Sequence, residues 1–490
     1  MENKKQKIHF IGIGGIGVSA LARYFLAQGN EVSGSDAVES GIIGDLRKMD
    51  VKINIADPST SSGNINFNDI DKVIYSAAVR EDDPELLEAR RLNVRAQKYA
   101  EALGELTKEK FTIAVSGMHG KSTTTAMIGL MMEKAGLDPT VIVGTKLKEW
   151  GNSNCRVGKS KYLLIEADEY DKSILNYWPK ILVLLNIEEE HLDTYRGGLP
   201  EIMETFGEYI SHLPEDGVLV ANDEDENVKK ISKTAKSEII YYSSSKAAGR
   251  VEKSLKEKVL DSAPVALRSN NNIPLNLKIP GKHNLSNANA ALAVAKVLGI
   301  DEKIAVEALN DFSGAWRRME CKGELNGAKI YDDYGHHPTE IKTTLEGARS
   351  LLPERSAVDA ESKADPSTRF ARSGNNSGRL WCVFQPHQYH RTYDLFDQFI
   401  GAFGSADKTI ILPIYSVAGR EDEEIKQKVS SEKLVQAINN GKEVLYMSDF
   451  DKVAEYLRKN LQSGDVCVIM GAGDIYKLTE LVVLKQKARD

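Results

Sequence analysis

Residues 111–135 read FTIAVSGMHGKSTTTAMIGLMMEKA: an apolar run, a turn bracketed by glycines, then a helical pattern. Strand, turn and helix in that order are the setting of a phosphate-binding loop. Gly120 lets backbone amides crowd around a phosphate, Lys121 is a mobile charge for the β- and γ-phosphates, and the Ser122 hydroxyl is a Mg²⁺ ligand. The full P-loop pattern wants a further glycine five places before Gly120, and Val115 stands there. A glycine three places before a Gly-Lys-Ser triplet, in this context, is expected by chance well under about one time in fifty. The spacing therefore predicts a nucleotide loop shorter than that of ordinary P-loop ATPases. Gly117, Met118, His119, Gly120, Lys121, Ser122 and Thr123 are its ATP-binding candidates.

Outward from this loop, residues 107–312 read as one α/β domain. PTVIVG, YLLIEAD and KILVLLNI are near-continuous apolar runs, as strands buried on both faces should be. EADEYD (166–171) and EEEHLD (188–193) close two of them. Strand ends line the ligand crevice of a parallel sheet, so Glu166 and His191 are candidates for holding a hard cation. A solvated acidic loop is the alternative reading. HNLSNANAALAVAKVLG (283–299) predicts a helix stopped by Gly299, and residues 243–275 predict an irregular or antiparallel excursion.

Upstream, residues 1–106 read as a second α/β domain with KIHFIGI, EVSGSD and KVIYSAA as strands. GIGGIG (12–17) fits G-x-G-x-x-G after a strand and before a helix. Gly12, Gly14, Gly15 and Gly17 permit a tight turn against a diphosphate, and Asp36 at the end of the second strand is placed for a ribose hydroxyl. The pattern does not separate NAD from another diphosphate, nor exclude a close-packed turn without ligand. A signal peptide is argued against by four glycines and Arg23 in the same run.

Downstream, residues 313–490 offer five strand candidates: AKIYDDYG, RLWCVFQP, KTIILPIY, EVLYMSD and DVCVIMGAGD. Arg317 and Arg318 stand at the entry, DDYGHHP (332–338) follows the first strand and QPHQYHR (385–391) the second. The polar insert 356–378 predicts a mobile surface loop. The fold class is thus α/β, with three consecutive domains: Rossmann-like, P-loop-type and Rossmann-like.

The 490 residues carry a net charge of −7, which argues against a nucleic-acid-binding stripe. No apolar run reaches 18 residues, so no membrane insertion is expected. Four widely spaced cysteines have neither metal-ligand nor scaffold spacing, and a cytoplasmic setting is expected.

With these motifs in their order, the chain resembles the Mur ligases over about residues 7–485, apart from the insert. GIGGIGVSALA, GMHGKSTTT, EADEYD, NIEEEHLDTY, GKHNLSNANAA, RRME, DDYGHHPTE and QPHQYHRT carry the resemblance. It is greatest to the branch that joins L-alanine to UDP-N-acetylmuramate with ATP in bacterial peptidoglycan precursor synthesis. The resemblance implies ATP and Mg²⁺ as cofactors, and Lys121, Glu166, His191 and His336 as catalytic. Ser122, Glu166 and His191 would hold metal. Asn284, Asn287, Arg318 and Asp333 would bind ATP. Gly12, Gly14, Gly15, Gly17, Asp36 and Ser76 would bind the UDP substrate, and Tyr334, His336 and Arg391 the amino acid. A monomer or weak homodimer is implied.

Four positions depart from or qualify the pattern. Gln388 replaces a common arginine, Tyr170 a common serine and Glu190 a common aspartate. Phe206 stands where other branches carry a metal-bridging modified lysine. A sister ligase adding a preformed tripeptide is the nearest alternative. Folylpolyglutamate synthase has no need of the GIGGIG unit. An NAD-dependent dehydrogenase leaves GMHGKST unexplained, and a non-catalytic nucleotide sensor has no use for the downstream cluster.

Overall fold

The structure is a computed structural model and describes residues 5–55, 66–192, 194–243, 250–252, 274–353, 378–416, 423–438 and 443–487. Three sheets follow one another along the chain. The first holds β1 (Lys7–Ile11), β2 (Glu31–Asp36), β3 (Lys52–Ile55), β4 (Lys72–Tyr75) and β5 (Arg95–Lys98), all parallel, in the order β3-β2-β1-β4-β5. Alternation along β1 divides the core: Ile8 and Phe10 face one apolar cluster, and Ile11 faces another with Val73 and Tyr75. Three strands are expected and five are found. KINI and RAQK escape because they are four residues long, half exposed and interrupted by polar residues.

The second sheet contains β6 (Phe111–Ser116), β7 (Thr140–Leu147), β8 (Ser153–Arg156), β9 (Tyr162–Glu166), β10 (Ile181–Leu184), β11 (Val218–Asn222), β12 (Glu238–Tyr242) and β13 (Arg250–Glu252). Its order is β13-β12-β11-β10-β6-β9-β7-β8, with only the two edge strands antiparallel. Val115 is fully buried in central β6, paired in register with Val183 and Glu166. The helix after the loop runs Lys121–Lys134, and Gly120 takes φ +85° as its N-cap. The expected 283–299 helix is found as Lys282–Leu298, with Gly299 at φ +65° beyond its end. Of the 243–275 excursion, most lies outside the described residues, and 250–252 pairs antiparallel with β12.

The third sheet contains β14 (Glu320–Leu325), β15 (Ala328–Asp333), β16 (Leu380–Phe384), β17 (Lys408–Ile411), β18 (Glu443–Tyr446) and β19 (Val466–Met470), in the order β14-β15-β19-β16-β17-β18. The five expected strands are β15 to β19, all parallel. β14 is additional and antiparallel, joined to β15 by Asn326-Gly327 at φ +54° and +77°. Asn-Gly is the residue pair such a two-residue hairpin prefers, so the signal for β14 was present. The insert, apart from Gly378, lies outside the described residues.

The chain divides into two compact units: residues 1–277 with 285–316, and residues 278–284 with 317–490. Within the first unit, the first two sheets are tied by specific contacts. Asn154 Nδ2 donates to Ile16 O (2.5 Å) and Ser19 Oγ (2.8 Å) at the start of the helix Ile16–Ala27. Lys146 pairs with Asp45 at 3.2 Å and Lys98 with Asp171 at 3.0 Å. Among the described residues, no helix is long and apolar enough to cross a membrane.

Candidate functional site

In the second sheet the loop between β6 and its helix is clasped from β10. The residue just past that strand's apolar run, Asn186, accepts from Met118 N through its carbonyl (3.2 Å) and from His119 N through its side chain (2.7 Å). Its Nδ2 donates back to His119 O at 2.9 Å. A Cβ on Gly117 would stand 3.0 Å from the Asn186 backbone, so glycine is required for this close approach. His119 also pairs with Glu188. Asn287 stands against the other glycine: its Oδ1 lies 2.5 Å from where a Cβ on Gly120 would be. Asn284 instead starts its own helix, with Nδ2 donating to Pro280 O at 2.7 Å, and belongs to the second unit.

Lys121 reaches back over its loop. Nζ donates to Gly117 O (2.7 Å), Met118 O (3.1 Å) and Glu169 Oε2 (2.8 Å). Burial alone would lower the ammonium pKa, but the Glu169 and Asp168 charges win and hold Lys121 above its ordinary range. Glu169 is fully buried; burial opposes its charge, yet Lys121 and His191 pull its carboxyl down to about 2. His191 Nε2 lies 3.2 Å from Glu169 Oε1. Burial disfavours its cation, and Glu190 and Glu169 outweigh that to raise its pKa. Its φ of +54° is left-handed, a strained backbone for a non-glycine residue. The Tyr170 ring packs edge-on at 5.2 Å.

Ser122 Oγ donates to Glu166 Oε1 (2.9 Å), and Gly144 N on β7 donates to Glu166 Oε2 (2.6 Å). The expected trio of Ser122, Glu166 and His191 thus stands as Ser122 with Glu166, and His191 with Glu169 and Asp168. Ligand atoms of the latter three lie within 4.8 Å of one another. Hard oxygens beside an imidazole fit a divalent cation. Glu169, Asp168, Asn186 and Gly144 were not singled out from the sequence. The two carboxylates lay in the quoted EADEYD, whereas nothing local marks Asn186 or Gly144. Thr123 is buried in the first helical turn. Phe206 is fully buried and apolar in the helix Leu199–Ser211.

In the first sheet, Gly12 at φ +76° makes the turn out of β1, and a Cβ there would stand 3.0 Å from Ser76 Cβ. Gly12 N and Ile13 N both donate to Ser35 O at the end of β2. Gly14 N donates to Asp36 Oδ2 at 2.8 Å, and Val38 N to Asp36 Oδ1 at 3.2 Å. Asp36 therefore braces the loop as well as lining it. Gly15 is the N-cap of the next helix, with no side-chain cap. A Cβ on Gly17 would stand 3.0 Å from the Tyr99 ring.

In the second unit, Asp333 is buried and accepts Met319 N and Gly335 N, each at 2.8 Å. Arg317 is buried, on Asp332, Gly471 O and Gly473 O. Arg318 is half-buried, 3.7 Å from Glu340 and over the Tyr334 ring at 5.1 Å. His336 Nδ1 lies 3.1 Å from Tyr334 O, a pure acceptor, so Nδ1 carries the proton. Burial and the Arg391 charge keep this imidazole well below its ordinary pKa. Arg391 Nη1 lies 3.3 Å from His387 Nδ1. Gln388 takes φ +71° as N-cap of the helix Tyr389–Asp394. Glu340 accepts from His336 N (3.0 Å) and His337 N (3.3 Å). It was missed, although His337-Pro-Thr-Glu340 is a capping-box spacing.

Three α/β domains, with a short phosphate loop and buried carboxylates at the C-terminal strand ends of the second, define a nucleotide-dependent enzyme class. The chain belongs to the Mur ligase family. Residues 7–111 match the Mur ligase family catalytic domain, 115–295 the Mur ligase middle domain, and 317–369 with 363–473 the Mur ligase glutamate ligase domain. The UDP-N-acetylmuramate–L-alanine ligase of Acetivibrio thermocellus is 40% identical over 489 residues, 99% of this chain and 97% of its own. That of Clostridium acetobutylicum is 37% identical, covering 98% of each chain. The crystal structure of the UDP-N-acetylmuramate-alanine ligase MurC of Thermotoga maritima superposes with a TM-score of 0.73 at 25% identity, over 99% of this chain and 100% of that one.

Proposed function

We infer that this chain is an ATP-dependent ligase that joins L-alanine to the carboxylate of UDP-N-acetylmuramate, in the cytoplasm, as a monomer or weak homodimer. Domains of 1–106, 107–312 and 313–490 serve the sugar nucleotide, ATP, and closure over ATP and amino acid in turn. The observation that carries the reading is the Lys121–Glu169 pair over the loop, with Ser122 on Glu166 beside it. A carboxylate is a poor electrophile, so transfer of the ATP γ-phosphoryl group to it gives an acyl phosphate and ADP. The alanine amine then attacks the acyl carbon, and the tetrahedral intermediate expels inorganic phosphate.

Lys121 supplies positive charge to the phosphoryl group in transfer. Mg²⁺, held by Ser122 and Glu166 with a second site at His191, neutralises the phosphate oxygens when bound. The first glycine loop orients the diphosphate, with Asp36 and Ser76 beside it. Asn284, Asn287, Arg318 and Asp333 bind ATP, and Tyr334, His336 and Arg391 seat the amino acid. His336 is the candidate base for the alanine ammonium by residue type and location. The test is phosphate release from Mg-ATP and UDP-N-acetylmuramate with alanine, glycine, serine or preformed tripeptide as the amine. Release with alanine alone is expected. Turnover with tripeptide alone identifies the sister ligase, and none with any amine sinks the reading.

A further inference from the structure

Tyr99 opens the helix Tyr99–Glu109 directly after β5, beside the first glycine loop. Gly17 leaves it room: a Cβ there would stand 3.0 Å from Tyr99 Cζ and 3.1 Å from its hydroxyl oxygen. The phenol therefore lies against the first turn of the helix Ile16–Ala27. Its ring packs on the main apolar cluster and is partly exposed. Its hydroxyl makes no hydrogen bond to the described residues. A phenol is protonated at neutral pH, so the hydroxyl is a donor beside the first loop.

The first loop needs such a donor. Residues 12–17 contain no cation, and three of their amides are spent on Ser35 O and Asp36. Asp36, which accepts from Gly14 N, is negative and repels an anion. We propose that the Tyr99 hydroxyl donates a hydrogen bond to an anionic oxygen of the sugar nucleotide, making it a binding residue of this site. The proposal rests on the sugar-nucleotide reading of the first loop.

Calorimetry on the full chain tests it, with UDP-N-acetylmuramate, UDP-N-acetylglucosamine and ATP as titrants. Tyr99→Phe keeps the ring and its packing; it is expected to weaken UDP-N-acetylmuramate about tenfold and leave ATP unchanged. Equal loss for UDP-N-acetylglucosamine places the bond on the diphosphate, and loss for the muramate alone places it on the lactyl carboxylate. Gly17→Ala, which pushes the ring away without removing the hydroxyl, is expected to give a comparable loss. Unchanged affinity of Tyr99→Phe for both sugar nucleotides overturns the proposal. Failure of the unsubstituted protein to bind either, while binding ATP, instead overturns the sugar-nucleotide reading and the Tyr99 role with it.

Discussion

The two glycine loops share a plan and differ in their electrostatics. Each leaves a parallel strand, turns on positive-φ glycine (Gly12 in the first, Gly117 and Gly120 in the second) and opens a helix. Each is also held from a neighbouring strand end, by Ser35 and Asp36 in one case and Asn186 in the other. The first is otherwise uncharged and offers amides and neutral groups. The second places a lysine over its own carbonyls, locked to a buried glutamate. On the proposed function, one backbone device would serve two tasks: the first loop would grip a diphosphate that survives the reaction, and the second would manage a phosphoryl group that moves.

Lys121→Ala strikes this contrast hardest. Phosphate release is expected to fall about 10³-fold, with calorimetric affinity for UDP-N-acetylmuramate unchanged. A parallel loss of sugar-nucleotide binding would mean that the loops do not act separately.

Glu169→Gln leaves Lys121 without its buried counter-charge and is expected to cost about 3 kcal/mol of stability in urea unfolding at pH 6. Glu169 is depressed in the folded state to about 2. Its stabilisation is complete above the ordinary carboxyl range near about 4.3 and is lost as pH falls toward 2. The gap between wild type and variant should therefore shrink by roughly half at pH 3 and close only below about pH 2; a constant gap would refute the ion pair as the cause.

Val115→Gly restores the full P-loop letters. Because Val115 is core, the change is expected to cost about 2–3 kcal/mol without lowering the KM for ATP. A lower KM would mean that the missing glycine matters. The smallest effect is expected of Asp36→Ala. Loss of the Gly14 brace should raise the KM for sugar nucleotide about fivefold and leave that for ATP alone, as steady-state kinetics will read.

Much of the fold was legible where the signal is local. The buried strands β6, β9 and β10 are apolar runs, and β15 to β19 were all expected. Of the strands that escaped, KINI and RAQK are short and polar and are held by pairing with neighbours already in the sheet, whereas β11 (VLVAN) and β12 (EIIYY) are buried apolar runs whose signal was present and was not read. The site was legible as motifs but not as partnerships. EADEYD marked a cluster, yet which carboxylate meets Ser122 and which meets Lys121 follows from the turn after β9.

By itself, the sequence determined that a phosphate loop sits between a buried strand and a helix, because glycine, lysine and serine act there over six contiguous residues. It also determined the family, through motifs whose order survives without coordinates. Only the tertiary structure decided that Lys121 is held by a residue 48 positions away, that the loop is clasped by one 67 positions away, and that Gly17 is small for the sake of Tyr99. Strand order brings those residues together, and burial sets their strength, since a charge removed from water must find its partner inside the fold.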